Sequence, residues 1–199
     1  MANTAISNEK YFSELDSAAG DADFGVSLAN GFQEVINQWN ELDRSSIGSF
    51  LMKVGLIITN NVGGCSGPIW GTGFLKSGML SKGKSIISLS DLTLMLRSAM
   101  EGMMNRGGAK LGDKTLLDAL ASIIEVFETE SKKIPNNVVE AFKEAAKAAE
   151  DTVELTRDWV AKRGRQSFTG DRSKGTLDPG IVAVATMMKS ITENLSKEK

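Results

Sequence analysis

Apolar residues recur along most of this chain at the intervals of three and four that place side chains on one face of a helix. Six stretches show the pattern, and they predict helices over residues 27–39, 47–58, 90–104, 116–127, 138–162 and 181–195. The alternating pattern of a strand is found at residues 85–88, which are too few to anchor a sheet. The pattern therefore predicts an all-α domain of six to eight helices.

The glycines mark where the helices are interrupted. Sixteen of the 20 glycines lie within residues 20–112, four lie within 164–180, and none lies within 113–163. The glycine-free stretch is expected to be helical apart from a turn around residues 135–137. No low-complexity linker and no internal repeat divides the chain, so residues 1–199 are expected to form a single domain.

Composition and charge exclude several classes of protein. Twenty-three Lys and Arg against 25 Asp and Glu give a net charge of -2, without the basic excess of a nucleic-acid-binding protein. No apolar run approaches the roughly 20 residues of a membrane span, and the first residues lack a signal-peptide pattern. A single Cys excludes an internal disulfide, so a cytoplasmic protein is expected. The absence of His excludes Ser-His-Asp catalysis and His-ligated zinc within this chain.

Residues 15–25 form an acidic segment with three carboxylates, Asp16, Asp21 and Asp23. Carboxylates this close repel one another unless a cation lies among them, and ligand sets made only of oxygen favour Mg²⁺ or Ca²⁺. The spacing is not that of an EF-hand. A solvated acidic turn whose Asp side chains cap a helix explains the same residues without a metal.

Residues 62–73 form a glycine-rich loop that is expected to lead into a helix. Gly63 and Gly64 allow a ligand to approach the backbone, and Ser66 followed by Pro68 is typical of a helix start. The free N–H groups of such a start can bind an anion, although a turn with a simple cap has the same residues. Cys65 is expected to be a small buried residue.

Two further polar segments lie later in the chain. In residues 105–116, Gly107 and Gly108 are expected to end one helix and Asp113 to cap the next. In the basic segment, residues 163–180, four Lys or Arg side chains lie among small residues, and Asp178 with Pro179 predicts a helix start. Taken together, an acidic cluster, an anion loop and a basic loop suit a Mg²⁺-bound nucleotide. The motifs of P-loop proteins and of protein kinases are absent.

Four segments, in their order and separations, resemble the nucleotide-binding L subunit of dihydroxyacetone kinases, which is also the C-terminal domain of the single-chain kinases. They are LDSAAGDADFG, GGCSGPIWGTGF, GDKTLLDAL and GRQSFTGDRSKGTLDPG. The resemblance covers residues 15–188. It implies an antiparallel barrel of eight amphipathic helices, with the nucleotide and Mg²⁺ held in loops at one end. The 15 residues that precede Asp16 are fewer than the first helix of the family usually has. A short first helix or an incompletely closed barrel is therefore expected.

The resemblance also implies the roles of individual residues. Two Mg²⁺ ions would be bound by Asp16, Asp21 and Asp23. This chain would supply no catalytic group beyond those that position metal and phosphate. Phe24 stands where phosphotransferase-type subunits usually have His. Contacts to ADP or ATP are implied for Phe24, Gly25, Val26, Ser27, Gly64, Cys65, Ser66, Gly67, Gly107, Leu116, Arg165, Asp178, Pro179 and Gly180.

The implied activity is that of a kinase subunit. In the phosphotransferase version, ADP stays bound as a cofactor and an M-type phosphocarrier partner rephosphorylates it to ATP. The γ-phosphoryl group then passes to dihydroxyacetone, or to a similar short ketose, held on a His of a separate K subunit. Free ATP is the alternative phosphoryl donor to the M-type carrier. For the oligomeric state, a homodimer is an alternative to a monomer. Two alternatives are a nucleotide-state sensor that binds a partner without phosphoryl transfer, and a plain helical interaction domain.

Overall fold

The fold is made of α-helices, and the structure is a computed structural model that describes residues 1–133 and 137–197. Its α-helices are α1 (Ala2–Ser7), α2 (Glu9–Ser17), α3 (Phe24–Asn37), α4 (Ile47–Asn61), α5 (Ser66–Leu80), α6 (Leu89–Gly107), α7 (Leu116–Glu130), α8 (Val138–Leu155) and α9 (Pro179–Lys197). Short 3₁₀ helices cover Trp39–Glu41 and Arg165–Ser173. The all-α prediction is confirmed. Of the predicted turn, residues 135 and 136 lie outside the described residues, and Asn137 caps α8.

The helices form a closed ring. Only Asn8 separates α1 from α2, so these two short helices together take the first of eight positions. Each following helix packs against the next one along the chain, and α9 returns to contact both α1 and α2. The barrel of eight helices is therefore confirmed, and its short first segment still closes the ring.

Helices α4 and α5 approach each other backbone to backbone along an antiparallel seam of glycines. A Cβ at Gly71 would lie 2.8 Å from the carbonyl oxygen of Gly55, and one at Gly78 would lie 2.9 Å from that of Gly48. Real side chains do not fit at such distances, so glycine is required where the two helices cross most closely. The seam fixes α5, whose first residues face the loops at one end of the barrel.

The interior of the barrel is apolar. Buried side chains from all parts of the ring form contiguous clusters, among them Phe12, Leu28, Ile58, Phe127 and Val182. Burial of this apolar surface is the main force that holds the amphipathic helices together. An apolar cavity of about 350 Å³ remains inside the ring. Within the described ranges, no helix is both long and apolar enough to cross a membrane.

Two local predictions were wrong, and the short strand candidate did not form a strand. The helix predicted for 138–162 ends at Leu155, because the following backbone turns away to bond with other segments. Residues 85–88 form a loop in which Ile86 is 84% exposed, since no neighbouring strand is present in the described part of the chain to pair with them. Asp113 does not cap α7: Thr115 does, in a capping box with Asp118, while Asp113 accepts a hydrogen bond from the Lys110 N–H.

Candidate nucleotide and metal site

The loops at one end of the barrel enclose a cavity of about 910 Å³, which is in the range of small-molecule sites. It lies where the segments before α3, α5, α7 and α9 meet. The predicted residues that line it are Asp16, Asp21, Asp23, Phe24, Gly64, Cys65, Ser66, Gly107, Leu116, Arg165, Asp178, Pro179 and Gly180. Residues up to 164 positions apart in the sequence, Asp16 and Gly180, thus line one cavity.

Four predicted contacts do not line this cavity: Gly25, Val26, Ser27 and Gly67. Both glycines are buried where the chain packs on itself. A Cβ at Gly25 would overlap the carbonyl oxygen of Glu9, and one at Gly67 would overlap that of Val62. These two positions need glycine for the close approach of helices and loops, whatever they do toward a ligand.

The three aspartates form one cluster at the edge of the cavity. Each offers a carboxylate oxygen, and the three oxygens lie within 4.8 Å of one another. Asp16 is buried at the end of α2, and its Oδ2 accepts the backbone N–H groups of Asp23 (3.1 Å) and Phe24 (3.3 Å). Asp16 therefore holds the turn that presents Asp21 and Asp23. The all-oxygen donor set fits Mg²⁺.

The backbone between the two exposed aspartates is strained. Ala22 has a φ of 62°, a left-handed conformation that non-glycine residues rarely adopt. Such strain persists where the surroundings impose it, and it is common at ligand sites. Burial and the neighbouring Asp21 carboxylate raise the pKa of Asp23, which Arg165 opposes. The crowded negative charge is the electrostatic condition that a bound cation relieves.

Arg165 supplies a positive charge to this cluster. Its Nε lies 2.7 Å from Asp21 Oδ2, and its Nη2 lies 3.8 Å from Asp23 Oδ2. Without this guanidinium, the carboxylates of Asp21 and Asp23 would face each other with no positively charged partner from Arg165. Its position shows that the cluster accepts a cation, and it places a group suited to phosphate binding beside the metal ligands.

The N-terminus of α5 forms the opposite wall. The helix begins at Ser66, with Pro68 in its first turn as predicted, and its first N–H groups have no partner within the helix. With the positive end of the helix dipole they make an anion site. Cys65 precedes the helix and is exposed to the cavity, so the prediction that it is buried was wrong. The glycine seam keeps α5 close to α4 and leaves Cys65 outside the packed region.

The start of α9 forms the floor. Asp178 Oδ1 accepts the N–H of Ile181 at 2.8 Å, so the predicted Asp178 cap before Pro179 is confirmed. Burial raises the pKa of Asp178 to about 7, against the effects of its N–H bonds and of Lys114. Gly180 packs against Leu116 at the start of α7.

Phe24 fills the place beside the acidic turn with an aromatic contact. Its ring packs edge-on against Phe12, with 6.3 Å between ring centroids, and it also lines the cavity. The side chain therefore offers no polar atom to a ligand at this position.

Several residues line the cavity without having been predicted as ligand contacts, among them Arg163, Gln166 and Phe168. Gln166 is buried and donates from Nε2 to the Leu177 carbonyl, while its Oε1 has no partner among the described residues. Phe168 is 89% exposed at the rim. Their place beside Arg165 in the basic segment was the available signal.

Fold and site together define an all-helical barrel with a pocket at one end that is lined by clustered carboxylates, a helix N-terminus and an arginine. The chain belongs to the DAK2 domain family, whose model matches residues 18–193. It is 38% identical to the PEP-dependent dihydroxyacetone kinase 2, ADP-binding subunit DhaL, of Listeria innocua, over 94% of this chain and 87% of that one. It is 32% identical to the PEP-dependent dihydroxyacetone kinase, ADP-binding subunit DhaL, of Escherichia coli, over 92% and 86%.

A solved structure shares the fold. The dihydroxyacetone kinase of C. freundii superposes with a TM-score of 0.76 at 23% identity, over 97% of this chain and 32% of that one. A second structure of that kinase, in complex with AMP-PNP and Mg²⁺, gives a TM-score of 0.73. At this identity the likeness supports the barrel fold.

Proposed function

We propose that this chain is the ADP-binding subunit of a PEP-dependent dihydroxyacetone kinase. It would hold ADP or ATP with Mg²⁺ and pass a phosphoryl group to dihydroxyacetone, or a similar short ketose, on a K-type partner. The observation that carries the proposal is the single cavity that joins the aspartate cluster, the α5 N-terminus and Arg165. The names of the relatives that match almost end to end support it.

The residues divide the tasks of phosphoryl transfer among three walls. Asp16, Asp21 and Asp23 would hold Mg²⁺, which when bound neutralises phosphate charge. The N–H groups at Ser66 would donate hydrogen bonds to phosphate oxygens, and Arg165 would donate to them from the other side. Leu116 and Gly107 offer an apolar surface near the start of α7 for the base. Positioning and charge neutralisation account for most of the catalysis in this reaction class.

The rest of the reaction would belong to partners. The chain contains no His, so a substrate-holding His and a phospho-His must come from a K-type subunit and an M-type phosphocarrier. We propose that residues 1–199 act as one cytoplasmic domain. Both a monomer and a homodimer of this chain are compatible with the proposal.

Native mass spectrometry and calorimetry test the nucleotide site. The protein should bind ADP only with Mg²⁺, and the double variant Asp21→Ala with Asp23→Ala should lose this affinity. Asp171→Ala, an exposed aspartate outside the cavity, is the matched control. Unchanged ADP affinity in the double variant would contradict the metal assignment.

A reconstituted assay separates the kinase from the sensor. With dihydroxyacetone, ADP, Mg²⁺, K-type and M-type partners, phosphoenolpyruvate and the phosphotransferases that pass its phosphoryl group to the M-type carrier, the kinase should form dihydroxyacetone phosphate. Phe24, an apolar side chain beside the metal ligands, is the observation that favours a sensor. Nucleotide binding without transfer to any short ketose would support that alternative.

A further inference from the structure

Lys114 is a buried lysine that the proposed chemistry does not use. Its side chain has no exposed surface, and its Nζ donates to the carbonyl oxygens of Arg157 (2.9 Å), Trp159 (3.0 Å) and Ser173 (2.7 Å). An ammonium has three N–H donors, so these carbonyls use all of them. Burial lowers the pKa of Lys114, while the charges of Asp178 and Asp158 act in the other direction.

The three carbonyls lie at the two ends of one loop. Residues 157–159 and Ser173, here called the neck, enclose residues 160–172, which include Arg165. The neck has further bonds: Ser173 Oγ accepts the Ala161 N–H at 2.9 Å, and the Gly175 N–H donates to the Arg157 carbonyl at 3.0 Å. The ammonium lies between the two ends and bonds to both. The neck therefore determines how the loop enters and leaves the cavity.

Lys114 also joins this loop to another wall of the cavity. It directly precedes Thr115, the cap of α7, and Thr115 and Leu116 line the cavity. Its φ of 60° is rare for a residue with a side chain, and such a backbone persists where the surroundings over-determine it. The lysine thus connects the start of α7 with the neck, and the distance between the two walls depends on it.

We propose that Lys114 is a positioning residue that acts through Arg165: it holds the neck closed and so fixes where the guanidinium meets a nucleotide phosphate. This inference rests on the proposed function. It assigns to Lys114 no contact with the nucleotide, because its donors are all engaged by the backbone.

A double-mutant cycle on ADP affinity in the presence of Mg²⁺ tests the link. Lys114→Met removes the donors at similar length, and Arg165→Gln removes the guanidinium. Each change should weaken ADP binding by about tenfold or more, and the double variant should be no more than about twofold weaker than Arg165→Gln alone. The proposal would be overturned if the losses of ADP binding free energy in the two single variants added fully in the double variant. It would also be overturned if Lys114→Met bound ADP with unchanged affinity.

Lys174→Met is the matched control, because Lys174 is an exposed lysine of the same segment that does not line the cavity. It should leave ADP affinity unchanged. If Lys114→Met does not fold, Ser173→Ala replaces it: this change removes the Oγ that accepts the Ala161 N–H and leaves Lys114 in place. It should weaken ADP binding and show the same lack of additivity with Arg165→Gln, and an additive result would overturn the proposal.

Limited trypsin digestion without nucleotide measures how readily the loop of residues 160–172 opens to the protease when no ligand is bound. In Lys114→Met, or in Ser173→Ala if the first variant does not fold, cleavage after Arg163 and Arg165 should be at least about tenfold faster than in the wild type and in Lys174→Met. Equal rates would overturn the proposal. Because this readout needs no ligand, failure of the wild type to bind ADP would contradict the proposed function, while the digestion still decides the role of Lys114.

Discussion

Replacing Arg165 with Gln should change two affinities in opposite directions. In the structure the guanidinium pairs with Asp21 and Asp23, the same carboxylates that are proposed to bind Mg²⁺. A divalent cation that binds without nucleotide must therefore compete with Arg165. A nucleotide phosphate, in contrast, gains a positive donor from the same side chain.

The size of each effect follows from exposure and bond type. The paired side chains of Arg165 and Asp21 are 58% and 37% exposed, and an ion pair in that setting contributes up to about 1 kcal/mol. Removing it should raise the affinity for the metal alone by up to about fivefold. A hydrogen bond to a charged group contributes about 1.5–3 kcal/mol, so ADP affinity should fall by roughly 10- to 150-fold.

Titration with Mn²⁺ followed by electron paramagnetic resonance measures the metal alone, and calorimetry with ADP and Mg²⁺ measures the nucleotide. Arg172→Gln is the control, since Arg172 belongs to the same segment and does not line the cavity. A weaker affinity of Arg165→Gln for Mn²⁺ would refute the competition. Unchanged ADP affinity would refute the proposed phosphate contact.

Three further changes test other parts of the molecule. Gly71→Ala would place a Cβ 2.8 Å from the Gly55 carbonyl oxygen, so urea denaturation should show a loss of about 1–3 kcal/mol. Ser88→Ala removes the cap of α6 at the end opposite the cavity, and should lower stability by about 1 kcal/mol with ADP affinity unchanged. Because the pKa of Asp178 is raised to about 7, the folded state binds its proton more tightly, and the free energy of unfolding should fall as the pH rises from about 4 to 7. Asp178→Asn keeps a side chain that can cap α9 but cannot titrate. The free energy of unfolding of this variant, measured by denaturation at pH 5 and at pH 7.5, should therefore change less than that of the wild type. An unchanged pH profile would contradict this assignment.

Periodicity was sufficient for the all-α class, because burial of one helix face produces the apolar spacing of a helix, whereas the barrel arrangement was implied only by the family resemblance. The run at 47–58 corresponds to α4, which extends three residues further at its C-terminal end, and the run at 181–195 corresponds to α9, which extends two residues further at each end. Asp16, Asp21 and Asp23 could be grouped from the sequence because they are close along the chain. Arg165 joined them only through the family resemblance, since nothing local places a residue 142 positions beyond Asp23 against it.

The wrong end predicted for α8 has a physical reason, which is that long-range bonds override local preference. The helix was predicted to continue past Leu155, yet Lys114 and Asp113 bond backbone groups of Arg157, Trp159 and Lys162 outside the helix. Thr115 and Asp113 are both good capping residues, and the reciprocal bond with Asp118 favours Thr115. A lysine with three carbonyl partners has no sequence signal, because its partners lie 43 to 59 residues away.

Because of the glycine seam between α4 and α5, the α5 side of the cavity can move less than the side formed by the loop that carries Arg165. Two helices in contact through their main chains cannot slide apart without losing that contact, whereas a loop tied at its neck can still shift at its tip. Crystals grown with different nucleotides should therefore superpose closely at Ser66, and their differences should concentrate around Arg165. Selectivity among phosphate ligands would then be altered most readily by substitutions in that loop, without change to the helix that faces it.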